Sequence, residues 1–180
     1  ALNKQETDRI PISIWFHMPE VDQDPVELAE RSIQIARTFN YDFIKMMPFG
    51  NYGAQDYGLS VRFYCTADKT AKERKFAIDT PEEWCDIKPL PAYYGTYGKQ
   101  VEFAQQLQKQ LKGEDIPYIQ TIFSPLTTCK KLAGPRVFDD MRQYPKYLHQ
   151  ALQAITETTI NFCKANVEAG VSGFFFASQC

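Results

Sequence analysis

The feature of this chain that most constrains its fold is the sequence GVSGFFFASQC at residues 170–180. Gly170 ends a long helical pattern, a short apolar run follows, and small or polar residues come next. In β/α proteins, ligands bind at the carboxyl ends of parallel strands. We therefore predict a strand over residues 173–177, with Ser178 and Gln179 at a substrate pocket.

Strand-like and helix-like segments alternate along the chain. Apolar runs predict four buried strands, at residues 11–16, 42–47, 116–123 and 173–177. Apolar residues with helical spacing predict the helices between them, including those over 98–112 and 145–169. A strand, a helix and a second strand within about thirty residues form the parallel βαβ unit. The sequence therefore predicts an α/β fold.

The number of strands suggests half of a larger structure. A TIM, or (β/α)8, barrel closes with eight strands in about 250 residues. We expect residues 1–180 to form the amino-terminal half of a single barrel domain and to supply roughly its first four βα units. Two strand-like segments and a capped helix start predict an excursion, a β-hairpin and a helix, at about residues 59–98.

Composition and charge narrow the choice of partners. The net charge is −2, and hydrophobic residues make up 44% of the chain, as in ordinary globular proteins. This charge does not favour nucleic acid or an anionic membrane, and no apolar run approaches the roughly 18 residues of a transmembrane helix. We expect a small-molecule substrate, with neither nucleic acid nor a membrane as a partner.

The cysteines bear on the cellular compartment and on metal binding. Their number, five, is odd, and no C-x-x-C motif is present. This usage is typical of reduced thiols in the cytoplasm rather than of a disulfide framework. No cysteines and histidines have the spacing of a structural zinc site. We predict a cytoplasmic protein and identify no metal ligand and no cofactor, although a zinc site built from distant residues stays open.

Two residues are the candidates for catalysis. His17 follows the first predicted strand, where its imidazole could act as a general acid or base near neutral pH. Alternatively, His17 only bonds a loop carbonyl. Lys45 lies within the apolar run of the second predicted strand, where a buried lysine without a partner is costly. It is either a cation of the site or is neutralised by a structural acid.

Further residues are candidates for substrate binding. Trp15 would form a wall of the pocket or part of the core. Tyr52, Gln55 and Asp56 lie on the long loop after the second predicted strand, and loops at this end of a barrel carry function. The alternative for these three residues is a surface loop that covers the barrel.

The start of a short helix after the third predicted strand supplies two more candidates. Ser124 and Thr127 could act only as caps of this helix, or the helix start could bind an anion through its backbone N–H groups. Together with Ser178 and Gln179, they would place polar groups at the ends of two strands.

Several segments, taken in order, resemble the uroporphyrinogen decarboxylase superfamily. They are DRIPI and WFHM at residues 8–12 and 15–18, YDFIK at 41–45, NYGAQDYG at 51–58, FSPLTT at 123–128 and AGVSGFFFASQ at 169–179. Together they span nearly the whole chain, and they agree with the predicted order of strands.

The resemblance implies a (β/α)8 barrel and an enzyme that acts on a tetrapyrrole or a related small acidic substrate. The superfamily includes decarboxylases of porphyrin metabolism, which use neither metal nor organic cofactor, and corrinoid- or thiol-dependent methyltransferases. The decarboxylases carry an arginine-rich segment just after the first strand, whereas residues 16–22 here hold two acids and no arginine. We expect a decarboxylase-like lyase. Methyl transfer, which could use zinc or a corrinoid, is the alternative.

A third alternative belongs to another class of protein. A half-barrel without catalytic activity could serve as a binding or assembly module. It would form a homodimer through its exposed strand edges, since an unpaired edge is otherwise open to aggregation.

Overall fold

The computed structural model describes residues 4–179. Its helices are α1 (Pro25–Thr38), α2 (Tyr52–Gln55), α3 (Gly95–Gln110), α4 (Pro125–Ala133), α5 (Val137–Gln143) and α6 (Pro145–Glu168). Its strands are β1 (Ile44–Lys45), β2 (Ser60–Arg62), β3 (Lys72–Lys75), β4 (Tyr118–Phe123) and β5 (Gly173–Ala177). Two short 3-10 helices cover Pro81–Asp86 and Gly134–Arg136.

Strands β1, β4 and β5 form a parallel sheet with β4 in the centre. The register pairs Ile44 with Tyr118 and Ile119 with Gly173. Parallel neighbours need long crossover connections. The segment that contains α3 joins β1 to β4, and helices α4 to α6 join β4 to β5. The protein is therefore an α/β protein, as the sequence predicts.

The prediction of a buried first strand is wrong. Residues 11–16 form no strand, and the side chains of Ile12, Ile14 and Phe16 are exposed. The Ile12 carbonyl accepts from the backbone N–H of Asp42 at 3.0 Å, but the Ile12 N–H donates to the Asp42 carboxylate at 2.8 Å. Because a side chain takes this donor, no regular ladder forms. Within residues 4–179, three parallel strands stand where four were predicted.

Short polar residues set the starts of two helices, as their positions in the sequence indicate. The Asp24 carboxylate accepts from the backbone N–H groups of Val26 and Glu27 at 2.8 and 3.0 Å, which caps α1. The Ser124 hydroxyl accepts from the Thr127 N–H at 3.1 Å and caps α4. Because α4 begins directly after β4, these two residues lie at the carboxyl end of the central strand.

The core consists of two apolar clusters. The first packs α1, α3 and part of α6 against the sheet and includes Leu28, Ile33, Val101, Leu107, Tyr118 and Phe162. The second lies under α4 and α6 and includes Ile78, Trp84, Leu132, Val137 and Ile155. The antiparallel pair β2 and β3 is a separate two-stranded sheet. Its role as an excursion from a barrel stays a prediction.

Two further observations concern the described part of the chain. No helix within residues 4–179 is both long and apolar enough to cross a membrane. The four cysteines in that range form no disulfide. Cys180 and residues 1–3 lie outside the described residues, so the predicted domain of residues 1–180 is described only in part.

Candidate functional site

Lys45 is the centre of the candidate site. It is the last residue of β1, and only 7% of its surface is exposed. Its ammonium lies 4.8 Å from the centroid of the Trp15 ring and 4.2 Å from that of Phe175. It also donates to the Met47 sulfur at 2.8 Å. No carboxylate of residues 4–179 forms an ion pair with it.

Burial determines the charge of this amine. Removal from water disfavours the ammonium form and lowers the pKa of Lys45 to about 8. The two aromatic faces offset part of this penalty, at about 0.5 to 2 kcal/mol per contact. The sequence left open that a structural acid neutralises Lys45, but no acid among residues 4–179 forms an ion pair with it. Lys45 is therefore a buried cation without a counter-ion among residues 4–179.

His17 lies close to this cation. Its imidazole bonds the backbone of Pro48, whose only polar backbone group is its carbonyl, so a ring N–H is the donor. Burial lowers the pKa of His17, and the positive charges of Lys45 and Lys131 lower it further, against the opposing effect of the bond to Pro48. The neutral ring therefore prevails at pH 7, and its second nitrogen is a proton acceptor.

A second lysine, Lys131 of α4, acts on the same histidine. Its ammonium donates to the Asn51 side-chain oxygen at 3.3 Å and lies 4.9 Å from the centroid of the Phe123 ring. Burial lowers the pKa of Lys131, and the nearby negative charge of Glu73 opposes that shift. As with Lys45, no carboxylate of residues 4–179 forms an ion pair with Lys131.

We call His17, Lys45 and Lys131 the basic cluster. Its members come from three segments: the stretch before α1, the carboxyl end of β1, and α4. A cavity of about 270 Å³ adjoins Lys131 and is also lined by Thr127 and Gln179. Neither lysine forms an ion pair within residues 4–179, although the Glu73 carboxylate lines the same cavity and acts on Lys131. The two ammonium groups favour the binding of an anion, with a carboxylate as the natural partner.

The structure brings together the polar residues at the ends of β4 and β5. The Thr127 hydroxyl lies 2.9 Å from the Ser124 hydroxyl and accepts from the Gln179 backbone N–H at 2.8 Å. The Ser124 N–H donates to the Ala177 carbonyl at 2.9 Å. The side chains of Ser178 and Gln179 are exposed. These residues therefore lie together at the carboxyl ends of β4 and β5, and their role in substrate binding stays a prediction.

The structure places Tyr52 in the core. Its ring is fully buried, and its hydroxyl donates to the Thr121 carbonyl at 2.8 Å. Burial raises the pKa of Tyr52 far above its usual value. The neighbouring Gln55 is half-buried, and its side-chain oxygen has no hydrogen-bond partner within residues 4–179. Tyr52 therefore holds α2 against β4, and no contact with a substrate is needed to explain its burial.

Asp56 has a structural task at the start of α3. Its carboxylate accepts from the Thr96 N–H at 2.8 Å, from the Thr96 hydroxyl at 2.9 Å and from the Tyr97 N–H at 3.2 Å. Gly95 makes this approach possible, because a Cβ there would lie 2.2 Å from the carboxylate and its φ is +48°. The carboxylate predicted to bind substrate thus caps a helix.

Two residues of the site were not among the sequence candidates. Lys131 lies four residues after Thr127 on α4, and therefore on the same face of the helix. This spacing could have identified Lys131 as a candidate from the sequence. Phe175 lies in an apolar strand between two other phenylalanines. Neighbouring side chains of a strand alternate between faces, but nothing in that run indicates which face meets Lys45.

The described residues do not fit a metal ion. Within residues 4–179, no three side chains of His, Cys, Asp or Glu are grouped so that they could hold one. We therefore derive no chemical step of this chain through zinc.

The fold and the basic cluster define a class: an α/β protein with a cationic site at the carboxyl ends of parallel strands. The family Uroporphyrinogen decarboxylase (URO-D) matches residues 1–177, and the chain belongs to this family. The resemblance seen in the sequence is thereby confirmed. No curated protein matches the chain significantly in sequence.

A solved structure, that of a methyltransferase from Methanosarcina mazei, has a similar fold. The TM-score is 0.73, with 15% sequence identity over 98% of this chain. At this identity, the similarity concerns the fold alone. The chain spans 56% of the length of that methyltransferase.

Proposed function

We propose that this chain supplies the amino-terminal half of a (β/α)8-barrel enzyme that removes carbon dioxide from a tetrapyrrole or a related small acidic substrate. The observation that supports this proposal is the ammonium of Lys45, which is buried at the carboxyl end of a parallel strand and forms no ion pair with an acid of residues 4–179. A buried charge without a partner destabilises a fold. A perturbed cation of this kind is therefore a candidate for function.

In this proposal, the two lysines bind the acidic groups of the substrate. Lys45 and Lys131 lie on different elements, and the charges of both act on His17. A carboxylate bound beside them would receive charge-assisted hydrogen bonds. Trp15, which is 45% exposed and lies 4.8 Å from the Lys45 ammonium, would form a wall of the site. Ser124, Thr127, Ser178 and Gln179, at the ends of β4 and β5, extend the polar surface for the rest of the substrate.

His17 is the proposed proton carrier. Loss of carbon dioxide breaks the bond between the carboxylate carbon and its neighbour, and the electron pair stays on the substrate until a proton takes it up. The neutral imidazole donates one N–H to Pro48 and keeps its other nitrogen as an acceptor. That nitrogen takes a proton from the substrate or from water and returns it to carbon.

The outer surface supports the half-barrel part of the proposal. A largely apolar groove of about 650 Å³ lies between α6 and β5 and is lined by Ile122, Ile160, Val167 and Phe176. Phe176 is an exposed aromatic residue of β5, whose second edge pairs with no strand among residues 4–179. In a closed barrel, the following strand and helix would cover both this edge and this groove.

Methyl transfer is the second candidate. It is favoured by the fold of the methyltransferase from Methanosarcina mazei and by the absence of arginine from residues 16–22. Decarboxylation and methyl transfer differ in what they require of the basic cluster. Decarboxylation requires it to hold the carboxylate that is lost, whereas methyl transfer to a thiol has no such requirement.

The test uses the complete natural protein. We would incubate it with uroporphyrinogen and measure carbon dioxide release, and in parallel with methylcobalamin and a small thiol and measure methylation of the thiol. Carbon dioxide release is expected, with a fall of about 100-fold in Lys45→Met, as for the loss of one group that stabilises charge in the transition state. Lys109→Met, at an exposed lysine in the last turn of α3, is the control.

The other outcomes distinguish the alternatives. Methylation without carbon dioxide release would replace the decarboxylase by the methyltransferase. Neither activity, together with a stable homodimer in solution, would favour the binding or assembly module.

A further inference from the structure

We propose that the amine of Lys45 is a nucleophile that forms an imine with the carbonyl group of a small β-keto acid. This inference rests on the proposed function, because it places the loss of carbon dioxide at the same site. It goes further in choosing, of the two substrate classes proposed above, the small acid rather than the tetrapyrrole, which has no ketone to form an imine, and in naming a covalent intermediate. The motivating observation is a buried lysine whose contacts are two aromatic rings and a thioether instead of a carboxylate.

These contacts leave the amine available for reaction. The Met47 sulfur is a weak hydrogen-bond acceptor, and no acid of residues 4–179 holds the ammonium as an ion pair. Nucleophilic lysines in proteins are desolvated in apolar pockets or lie beside another cation. Lys45 meets the first condition through Trp15 and Phe175, and Lys131 acts on the same small region through His17.

The amine is also within reach of a ligand. The two rings that cover it are 45% exposed for Trp15 and 39% exposed for Phe175. Lys45 therefore lies one layer of side chains below the surface of the sheet. The cavity that Lys45 and Trp15 line has a volume of about 30 Å³, enough for about one water molecule. A small carbonyl compound would therefore have to displace the Trp15 side chain to reach the amine.

The neighbours supply the remaining functions. Within the described residues, the Lys131 ammonium donates to the Asn51 side-chain oxygen at 3.3 Å and lies over the Phe123 ring, and Glu73 acts on it without forming an ion pair. This ammonium therefore keeps donors for the carboxylate of the keto acid. His17 is oriented by its bond to Pro48 and accepts or returns protons through its second ring nitrogen.

The chemistry balances without an oxidant or a reductant. The neutral Lys45 amine attacks the carbonyl carbon, and the carbonyl oxygen, after protonation, leaves as water to give an iminium ion. The bond to the carboxylate carbon then breaks, carbon dioxide leaves, and its electron pair moves toward the iminium nitrogen to form an enamine. A proton adds to carbon. Water then hydrolyses the iminium, which releases a ketone and restores the amine.

The experiment traps this intermediate in the complete natural protein. Acetoacetate is added with sodium borohydride, which reduces an imine to a stable secondary amine, and each lysine is followed by peptide mass spectrometry. We expect modification of Lys45 at least about tenfold above that of exposed Lys109, and loss of this preference in denaturant, because the environment of the amine sets its reactivity.

Two variants sharpen the test. Lys45→Arg keeps the charge but forms no imine, so the modified peptide should disappear while the other lysines react as before. Lys131→Met should lower trapping with acetoacetate about tenfold but leave trapping with its neutral ethyl ester unchanged, because only the acid needs the second cation.

The result also separates this inference from the proposed function. Carbon dioxide release from uroporphyrinogen with no preferential trapping at Lys45 would overturn the imine and leave the decarboxylase intact. Trapping at Lys45 that is no higher than at Lys109 in the folded protein would overturn the inference whatever the enzyme turns over. Selective trapping without decarboxylation of any acid would support the nucleophile and count against the proposed function.

Discussion

Two polar regions of this molecule are built in opposite ways. At the start of α3, the Asp56 carboxylate accepts three hydrogen bonds, and nearby Tyr52 donates its hydroxyl to a carbonyl of the sheet. In the basic cluster, Lys45 is buried and Lys131 is half-buried, yet neither forms an ion pair among residues 4–179. The first region is complete without a ligand, and the second is not.

Whether a polar side chain has its partners within the fold distinguishes structural residues from functional residues more clearly than the residue type does. A polar group whose hydrogen bonds are all made within the fold stabilises the native state. A desolvated charge without a partner lowers the stability of the native state until a ligand binds. Four predictions test this comparison.

Replacement of the carboxylate at the α3 start should have the largest effect on stability. We expect Asp56→Ala to lower the free energy of unfolding by about 3 kcal/mol, because charge-assisted bonds to a helix terminus are lost and donors remain unpaired. Urea denaturation measures this change. Asp86→Ala, at an exposed acid, is the control. A loss equal to that of the control would show that the capping bonds contribute little.

Removal of the buried charge should have the opposite effect. We expect Lys45→Met to raise the free energy of unfolding by about 1 to 2 kcal/mol at pH 7, since an apolar side chain suits the site and only the cation–π contacts are lost. Activity should fall in the same variant. Calorimetry alongside Lys109→Met checks the sign. A destabilised Lys45→Met protein would mean that the lysine is a structural residue.

The gain in unfolding free energy from Lys45→Met should decrease as the pH rises. The unfolded chain keeps the proton on Lys45 up to its usual pKa, whereas the folded protein loses it near pH 8. The unfolded state therefore binds more protons above pH 7, and the native protein gains stability as the pH increases. Between pH 7 and pH 9, the stability difference between the variant and the native protein should narrow by about 1 kcal/mol. A difference that stays constant would place the pKa of Lys45 outside this window.

The smallest effect is expected at the buried tyrosine. Tyr52→Phe removes one hydroxyl that donates to the Thr121 carbonyl and should cost about 0.5 to 1 kcal/mol of unfolding free energy. Because the hydroxyl bonds only the sheet, kcat/KM should remain unchanged. A fall in kcat/KM without a loss of stability would show that Tyr52 contacts the substrate, as the sequence predicted.

The sequence predicts much of the secondary structure because the relevant signals are local. Capping residues such as Asp24 and Ser124, with a proline directly after each, give the helix starts from positions a few residues apart. Residues 11–16 show where this reasoning fails. An apolar run indicates a strand only if a neighbour takes its backbone groups, and here the Asp42 side chain takes one of them.

The candidate site was only partly predictable, for a similar reason. Lys45 stood out as a charge in an apolar run, and His17 by its place after that first segment. Whether each was paired depended on residues far away in the chain. Lys131 lies about two turns into a helix, and Phe175 covers Lys45 from a strand more than a hundred residues later.

The sequence by itself determined the α/β class, the helix starts and the family, because these depend on residue order and on short-range hydrogen bonds. The tertiary structure alone decided which polar groups are satisfied. The sequence offered Lys45 as a catalytic candidate and Asp56 as a candidate for substrate binding, yet Asp56 caps a helix, and Lys45 is a buried cation without a counter-ion among residues 4–179. Desolvation and charge pairing act through space, so only the folded chain sets their balance.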